Sequence, residues 1–305
     1  MATAVAVAGQ TRAAQVELGA PIYDPAPMPH PFFGRAIIAA DFDGDGIDDL
    51  AVSSGPTTGL SGYVGDVDVL FSGGAAPITL ASAQQQNAPS FGRSLTAGDV
   101  NNDGYSDLIV GAPKSQVGGA AGAGEVIVLF GPDLTSQVAL RDPQVQSAAN
   151  FGISVASADA NADGFDDVLV GAWDSHVGAY NRAGESFLFL GPGLVSPRTF
   201  QSPEPQTVGD FGVATAIGDV DGDSFADLII GSWTADVMPN RDEGKVFVFR
   251  GPQFTNHIRL VDSGAGIQLG RSLAIADVDG DATLDVIAGA HSGVVVFTWD
   301  GAGFV

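Results

Sequence analysis

The chain has no cysteine, so disulfides, thiolate metal sites and a cysteine nucleophile are excluded. It is also poor in positive charge: 12 Lys and Arg stand against 36 Asp and Glu, a formal net charge of −24. A field of that sign repels nucleic-acid phosphates and anionic membranes, so no nucleic acid is expected as a partner. No apolar run reaches the length of a membrane span, so no direct membrane insertion is expected. The opening MATAVAVAGQ is apolar, but it lacks a basic n-region and is too short for a complete secretory signal. Residues 1–12 are therefore read as a flexible lead-in. The four histidines, His30, His176, His257 and His291, show no metal-ligand spacing and no nucleophile signature. Gly-rich segments such as GGAAGAG lack the Lys and helix of a phosphate cradle.

What the chain does have is aspartate on a fixed ruler. DFDGDGIDD begins at Asp41, DVNNDGYSD at Asp99, DANADGFDD at Asp159, DVDGDSFAD at Asp219 and DVDGDATLD at Asp277. The starts lie 58, 60, 60 and 58 residues apart. A period of this size means that one supersecondary unit has been reused. Around each loop lie the same segments. In the second repeat, FGRSLTAGDV runs into the loop, DLIVGAP leaves it, EVIVLFGP follows a Gly-rich connection, and SQVALRD reads as a half-buried outer strand. Short runs rich in Val, Ile, Leu and Phe, bounded by Gly and Pro, are strand signals, and no amphipathic helix is apparent. The predicted fold is all-β: a five-bladed β-propeller of four-stranded antiparallel blades, forming one domain over residues 13–305. The last repeat stops after its third strand, while QVEL (15–18) stands alone before the first. Pairing QVEL with the last blade would close the ring and leave only short outer edges.

Each nine-residue loop places oxygen-bearing side chains at positions 1, 3, 5 and 9. Hard cations of calcium size take six to eight oxygen ligands. The candidate ligands are Asp41, Asp43, Asp45 and Asp49 with the carbonyl of Ile47; Asp99, Asn101, Asp103 and Asp107 with the carbonyl of Tyr105; Asp159, Asn161, Asp163 and Asp167 with the carbonyl of Phe165; Asp219, Asp221, Asp223 and Asp227 with the carbonyl of Phe225; and Asp277, Asp279, Asp281 and Asp285 with the carbonyl of Thr283. Plain Asx turns are the bland reading of one such loop. Five copies of packed carboxylates are hard to sustain without a cation, and about five Ca²⁺ are expected. Mg²⁺ fits less well, because it tends to keep its waters. An EF-hand is excluded: position twelve is Val52, Val110, Val170, Ile230 or Ala288 rather than Glu, within strand-like runs. Gly fills position six in three loops, while Ser224 and Ala282 replace it in the last two, where strain is expected.

FGRSLTAGDVNNDGYSDLIVGAP followed by GAGEVIVLFGP resembles an FG-GAP repeat of the integrin α-subunit propeller, and the resemblance extends from about Gln15 to the end. It implies calcium between the first and second strands on one face, and ligand recognition on the opposite face. The chain departs from that family in having five repeats rather than seven, and in keeping Gly-Ala-Pro only at Gly111-Ala112-Pro113. On the implied ligand face, WDSHVGAYNRAG supplies Trp173, His176, Tyr180 and Arg182, WTADVMPNRDEG supplies Trp233, Asn240 and Arg241, and the short fifth loop supplies His291. Trp173 and Trp233 share a register and equally suit packing around a central channel. The expected function is a calcium-stabilised, monomeric, extracellular or cell-surface adhesion module for a protein or matrix ligand, without enzymatic activity. A lectin with a glycan ligand, and a carbohydrate-active lyase or dehydratase on the same scaffold, are the alternatives. The variable loops differ strongly between repeats, which favours one composite site over a repeated sugar site.

Overall fold

The computed structural model describes residues 33–54, 65–81, 90–237, 242–262 and 266–305. The lead-in, QVEL, Asn240 and Arg241 lie outside these residues. The described chain is entirely strand, turn and loop. The first sheet contains β1 (Ile37–Ala40), β2 (Asp49–Ser54), β3 (Asp66–Leu70) and β4 (Ile78–Ala81). The second contains β5 (Ser94–Gly98), β6 (Asp107–Ala112), β7 (Glu125–Leu129) and β8 (Gln137–Leu140). The third contains β9 (Ser154–Ala158), β10 (Asp167–Ala172), β11 (Glu185–Phe189) and β12 (Arg198–Gln201). The fourth contains β13 (Phe211–Gly218), β14 (Asp227–Ser232), β15 (Lys245–Phe249) and β16 (His257–Leu260). The fifth has three described strands, β17 (Leu273–Ala276), β18 (Asp285–Ala290) and β19 (Gly293–Phe297). Within every sheet the strands run in chain order and pair antiparallel.

The alternation of side chains along each strand (period two) explains the core. In β6, Ile109 turns toward the third sheet while Leu108 and Val110 turn toward the first. In β10, Val168 and Val170 face the second sheet and Leu169 the fourth. β6, β10 and β14 are buried along their whole length, because both faces are covered by neighbouring sheets. Four apolar clusters result, one between each pair of successive sheets. Face-to-face stacking of this kind, with the five first strands around one cavity, is a β-propeller. In β19, by contrast, Val294 is 64% exposed and Val296 40%. The predicted partner of that edge, QVEL, falls outside the described residues.

The Phe-Gly pairs join one sheet to the next. Phe91, Phe151 and Phe211, and Leu269 in the fifth repeat, are nearly completely buried. Each packs back into the cluster shared with the preceding sheet. The N–H of Phe151 donates to the carbonyl of Ala123 at 2.9 Å, that of Phe211 to Ala183 at 3.0 Å, and that of Leu269 to Glu243 at 2.8 Å. The glycines facing these joints admit no side chain: a Cβ on Gly124 or Gly184 would lie 2.1 or 2.0 Å from the carbonyl oxygen of Phe151 or Phe211.

Candidate metal loops and the channel mouth

The five aspartate loops share one hydrogen-bond pattern. At position 1, one carboxylate oxygen accepts the N–H of position 6: Gly46 to Asp41 at 2.9 Å, Gly104 to Asp99 at 2.9 Å, Gly164 to Asp159 at 2.9 Å, Ser224 to Asp219 at 2.8 Å and Ala282 to Asp277 at 3.0 Å. At position 5, Asp45, Asp103, Asp163, Asp223 and Asp281 accept the N–H of position 7. These bonds curl the chain so that the carboxylates approach one another. Oxygens of Asp41, Asp43 and Asp45 lie within 4.8 Å of one another, as do those of Asp219, Asp221 and Asp227, and those of Asp277, Asp279 and Asp285. In the second and third loops Asn101 and Asn161 stand at position 3, and their amide nitrogens donate to Asp103 and Asp163 at 2.9 and 3.0 Å. Position 6 has positive φ in every loop: 86° at Gly46, 89° at Gly104 and 91° at Gly164, but also 71° at Ser224 and 74° at Ala282. The expected strain is therefore present in the last two loops.

Position 9 has a second role that sequence reasoning missed. Asp107 is fully buried. Its Oδ2 accepts the N–H of Val100 at 3.0 Å, and its Oδ1 the N–H of Gly131, beyond β7, at 3.0 Å. Asp167 does the same with Ala160 and Gly191, Asp227 with Val220 and Gly251, and Asp49 with Phe42 and Ser72. This carboxylate thus pins the loop to the end of the third strand. Burial pushes the pKa of Asp107, Asp167 and Asp227 up to about 6; the backbone N–H groups pull it down less, and the neighbouring aspartates raise it further. A bound cation would oppose that rise. The donor set is hard oxygen throughout, already curved toward one point, and each oxygen that accepts one N–H keeps a second lone pair. In the first and fifth loops, where three carboxylates converge within 4.8 Å, this fits a calcium-sized ion.

The fourth loop differs. Arg250, just after β15, donates through Nε and the guanidinium to Asp221 and lies 3.8 Å from Asp223. The Asp221 side chain is only 1% exposed. The same Arg stacks 5.5 Å from the ring centre of Trp299. Phe130 and Leu190 hold the equivalent places after β7 and β11. The fourth loop therefore contains its own cation.

The loops lie side by side at one end of the first strands. Ser106 N–H donates to the carbonyl of Asp41 at 3.2 Å, and Asp166 N–H to that of Asp99 at 3.0 Å. At the other end of those strands a cavity of about 650 Å³ opens on the axis. Trp173 and Trp233 line it, so of the two placements open to them they take the channel. Arg35, Arg93 and Arg271 line it as well. They were not among the residues singled out, although the signal is in the sequence: Arg follows Phe-Gly or Leu-Gly in the first, second and fifth repeats.

The other loop candidates are dispersed. Arg182 is held by Asp174 at 3.1 Å and by the buried Asp210 at 3.1 Å, with its guanidinium 5.1 Å from the Trp173 ring centre. His176 lines a separate cavity of about 210 Å³ with Asp142, Gln146 and Glu185. Tyr180 is 41% exposed at the tip of a turn closed by Val177, and its N–H donates to the carbonyl of that residue at 2.9 Å. His291 is exposed beyond β18, and its N–H donates to the carbonyl of Ile267 at 2.6 Å.

Residues 91–129 and 211–249, the first three strands of the second and fourth sheets, match the FG-GAP repeat family model. The chain carries FG-GAP repeats. Integrin alpha-5 of Xenopus laevis is 31% identical over 218 residues, covering 67% of this chain and 20% of that protein. Phosphatidylinositol-glycan-specific phospholipase D of Bos taurus is 31% identical over 183 residues, covering 53% of this chain and 22% of that protein. The FG-GAP chain thus spans about a fifth of the length of these relatives. Among solved structures, the exotype rhamnogalacturonan lyase YesX aligns with a TM-score of 0.42 at 13% identity, over 90% of this chain and 58% of that one.

Proposed function

We propose that this FG-GAP propeller is a calcium-stabilised, non-catalytic extracellular binding module of the adhesion type. It would recognise a protein or matrix ligand on the face opposite its metal loops. One observation carries this reading: the aspartate loops share one main-chain hydrogen-bond pattern at one end of the first strands, while at the other end the connecting loops diverge in length and residues. Uniformity suits a repeated structural ion, and individuality suits one composite recognition surface. The similarity to an integrin alpha subunit supports the same reading.

In this account positions 1, 3 and 5 and the position 7 carbonyl hold Ca²⁺ in the first, second, third and fifth loops, with position 9 behind them. The ion neutralises converging carboxylates and so favours the folded loop over the unfolded chain. In the fourth loop Arg250 already supplies positive charge, so that site competes poorly for metal. The test is a surface-protein pulldown run beside a glycan array, with and without chelator. Capture of a protein ligand that survives Asp103→Ala at a temperature well below the melt supports the reading. A ligand coordinated directly to a loop ion, or turnover of a glycan substrate, overturns it.

A further inference from the structure

We infer that the channel mouth is a binding site for a carboxylate, contributed by an acidic residue of a protein partner that carries an apolar neighbour. Three of only 12 basic residues in a chain of net charge −24 line this one cavity. Among the described residues no carboxylate lies within ion-pair distance of Arg35, Arg93 or Arg271. Elsewhere the protein pairs its cations readily, as at the exposed Arg141 with Glu125 and the buried Lys245 with Glu204. Gathering unpaired guanidinium groups is unfavourable without an anion. Burial, and then the charge of Arg35, lower the pKa of Arg93.

Three further polar residues belong to the lining. The indole Nε1 atoms of Trp173 and Trp233 and the hydroxyl of Thr215 are buried and have no hydrogen-bond partner. Free guanidinium groups, which donate and cannot accept, suit a ligand that offers acceptors, as an ionised carboxylate does. Arg binds carboxylates through a planar fork of N–H donors.

The two sides of the cavity differ. Where the first, second and fifth repeats place Arg, the third and fourth place Ile153 and Val213, which line the same cavity. Trp173 and Trp233 also come from the third and fourth repeats. One side is cationic and the other apolar. A uronic acid would supply the carboxylate but would set its hydroxyls against the apolar side. An Asp or Glu side chain next to Leu or Phe matches both sides. The indoles are already stacked by guanidinium groups, Arg182 on Trp173 at 5.1 Å and Arg271 on Trp233 at 5.0 Å, which lessens what they offer a sugar ring.

This inference rests on the ligand face lying opposite the metal loops. The test is titration of the full chain in saturating calcium, followed by tryptophan fluorescence and calorimetry. The probes are capped Leu-Asp-Leu and Leu-Glu-Leu tripeptides, their Asn and Gln counterparts, and a digalacturonate. Binding of the acidic peptides, weakened about tenfold or more in the amide counterparts and by Arg93→Gln or Arg271→Gln, is the expected result. Calcium content should not change in those variants, and Arg93→Gln should not lower the melting temperature, because the Arg93 side chain makes no ion pair. Arg271→Lys, which keeps charge but loses the fork, should retain part of the affinity. Equal binding of acid and amide, binding of digalacturonate alone, or no binding by any probe overturns the inference. If instead the peptides bind but are lost on chelation below the melt and ignore the Arg variants, the ligand lies at the metal loops, and the face assignment is what fails.

Discussion

Replacing Asp107 by Ala and Asp103 by Ala should separate two roles that lie four residues apart in one loop. Asp107 satisfies two backbone N–H groups, of Val100 and Gly131, at 3.0 Å each and fully out of solvent. Truncation leaves both donors without an acceptor, at about 1–3 kcal/mol apiece. The expected destabilisation is therefore about 2–6 kcal/mol, present in saturating calcium and in chelator alike. Asp103 is exposed, and its side chain accepts only the N–H of Tyr105 and the amide of Asn101. In chelator its loss should cost under about 1 kcal/mol; in calcium it removes an ion ligand, and the binding contribution to stability falls with it. Denaturant unfolding of both variants in the two buffers measures this. Asp107→Asn, which keeps one acceptor, should fall between wild type and Asp107→Ala. If chelator abolished the Asp107→Ala effect as it does that of Asp103→Ala, the pinning role would be refuted and position 9 would be a metal ligand only.

Arg250→Ala should free the fourth loop and raise bound calcium by about one ion per chain, measured by calorimetry or elemental analysis. Ser224→Gly and Ala282→Gly should each stabilise by about 0.5–1 kcal/mol, because relief of a left-handed residue outweighs the entropy of glycine; Gly164→Ala, at a φ of 91°, should destabilise by about 1–2 kcal/mol in the same unfolding assay. Arg182→Ala should cost roughly 1–3 kcal/mol, since it strips the buried Asp210 of its cationic partner; a variant of unchanged stability would reopen Arg182 as a ligand residue.

The propeller was legible because its signals are local and repeated. Strand runs such as DLIVGA carry their own boundaries, and the aspartate spacing states both the loop and the repeat length. What escaped is what depends on residues distant in sequence. Arg250 is 29 residues from Asp221, just after a strand whose counterparts are followed by Phe130 or Leu190. The dual part played by Asp107 needs Gly131, 24 residues on. The arginines after Phe-Gly or Leu-Gly could be read one by one, but only the folded chain shows that those of the first, second and fifth repeats share a cavity with Trp173 and Trp233. Arg182 looked like a free surface cation because its buried partner, Asp210, lies 28 residues on.

The joints between sheets have an implication for how such a protein can change its size. Each joint is a main-chain contact, with the glycine of one repeat seated on the carbonyl of the next and the following N–H donating back across the gap. Every internal repeat therefore carries a socket at one end and a plug at the other, built from the same glycine and the same buried Phe or Leu each time. Duplication or loss of a whole unit leaves matching halves facing each other. Copy number becomes something recombination can alter in one step, while the channel residues, which sit outside the joint, remain free to diverge repeat by repeat.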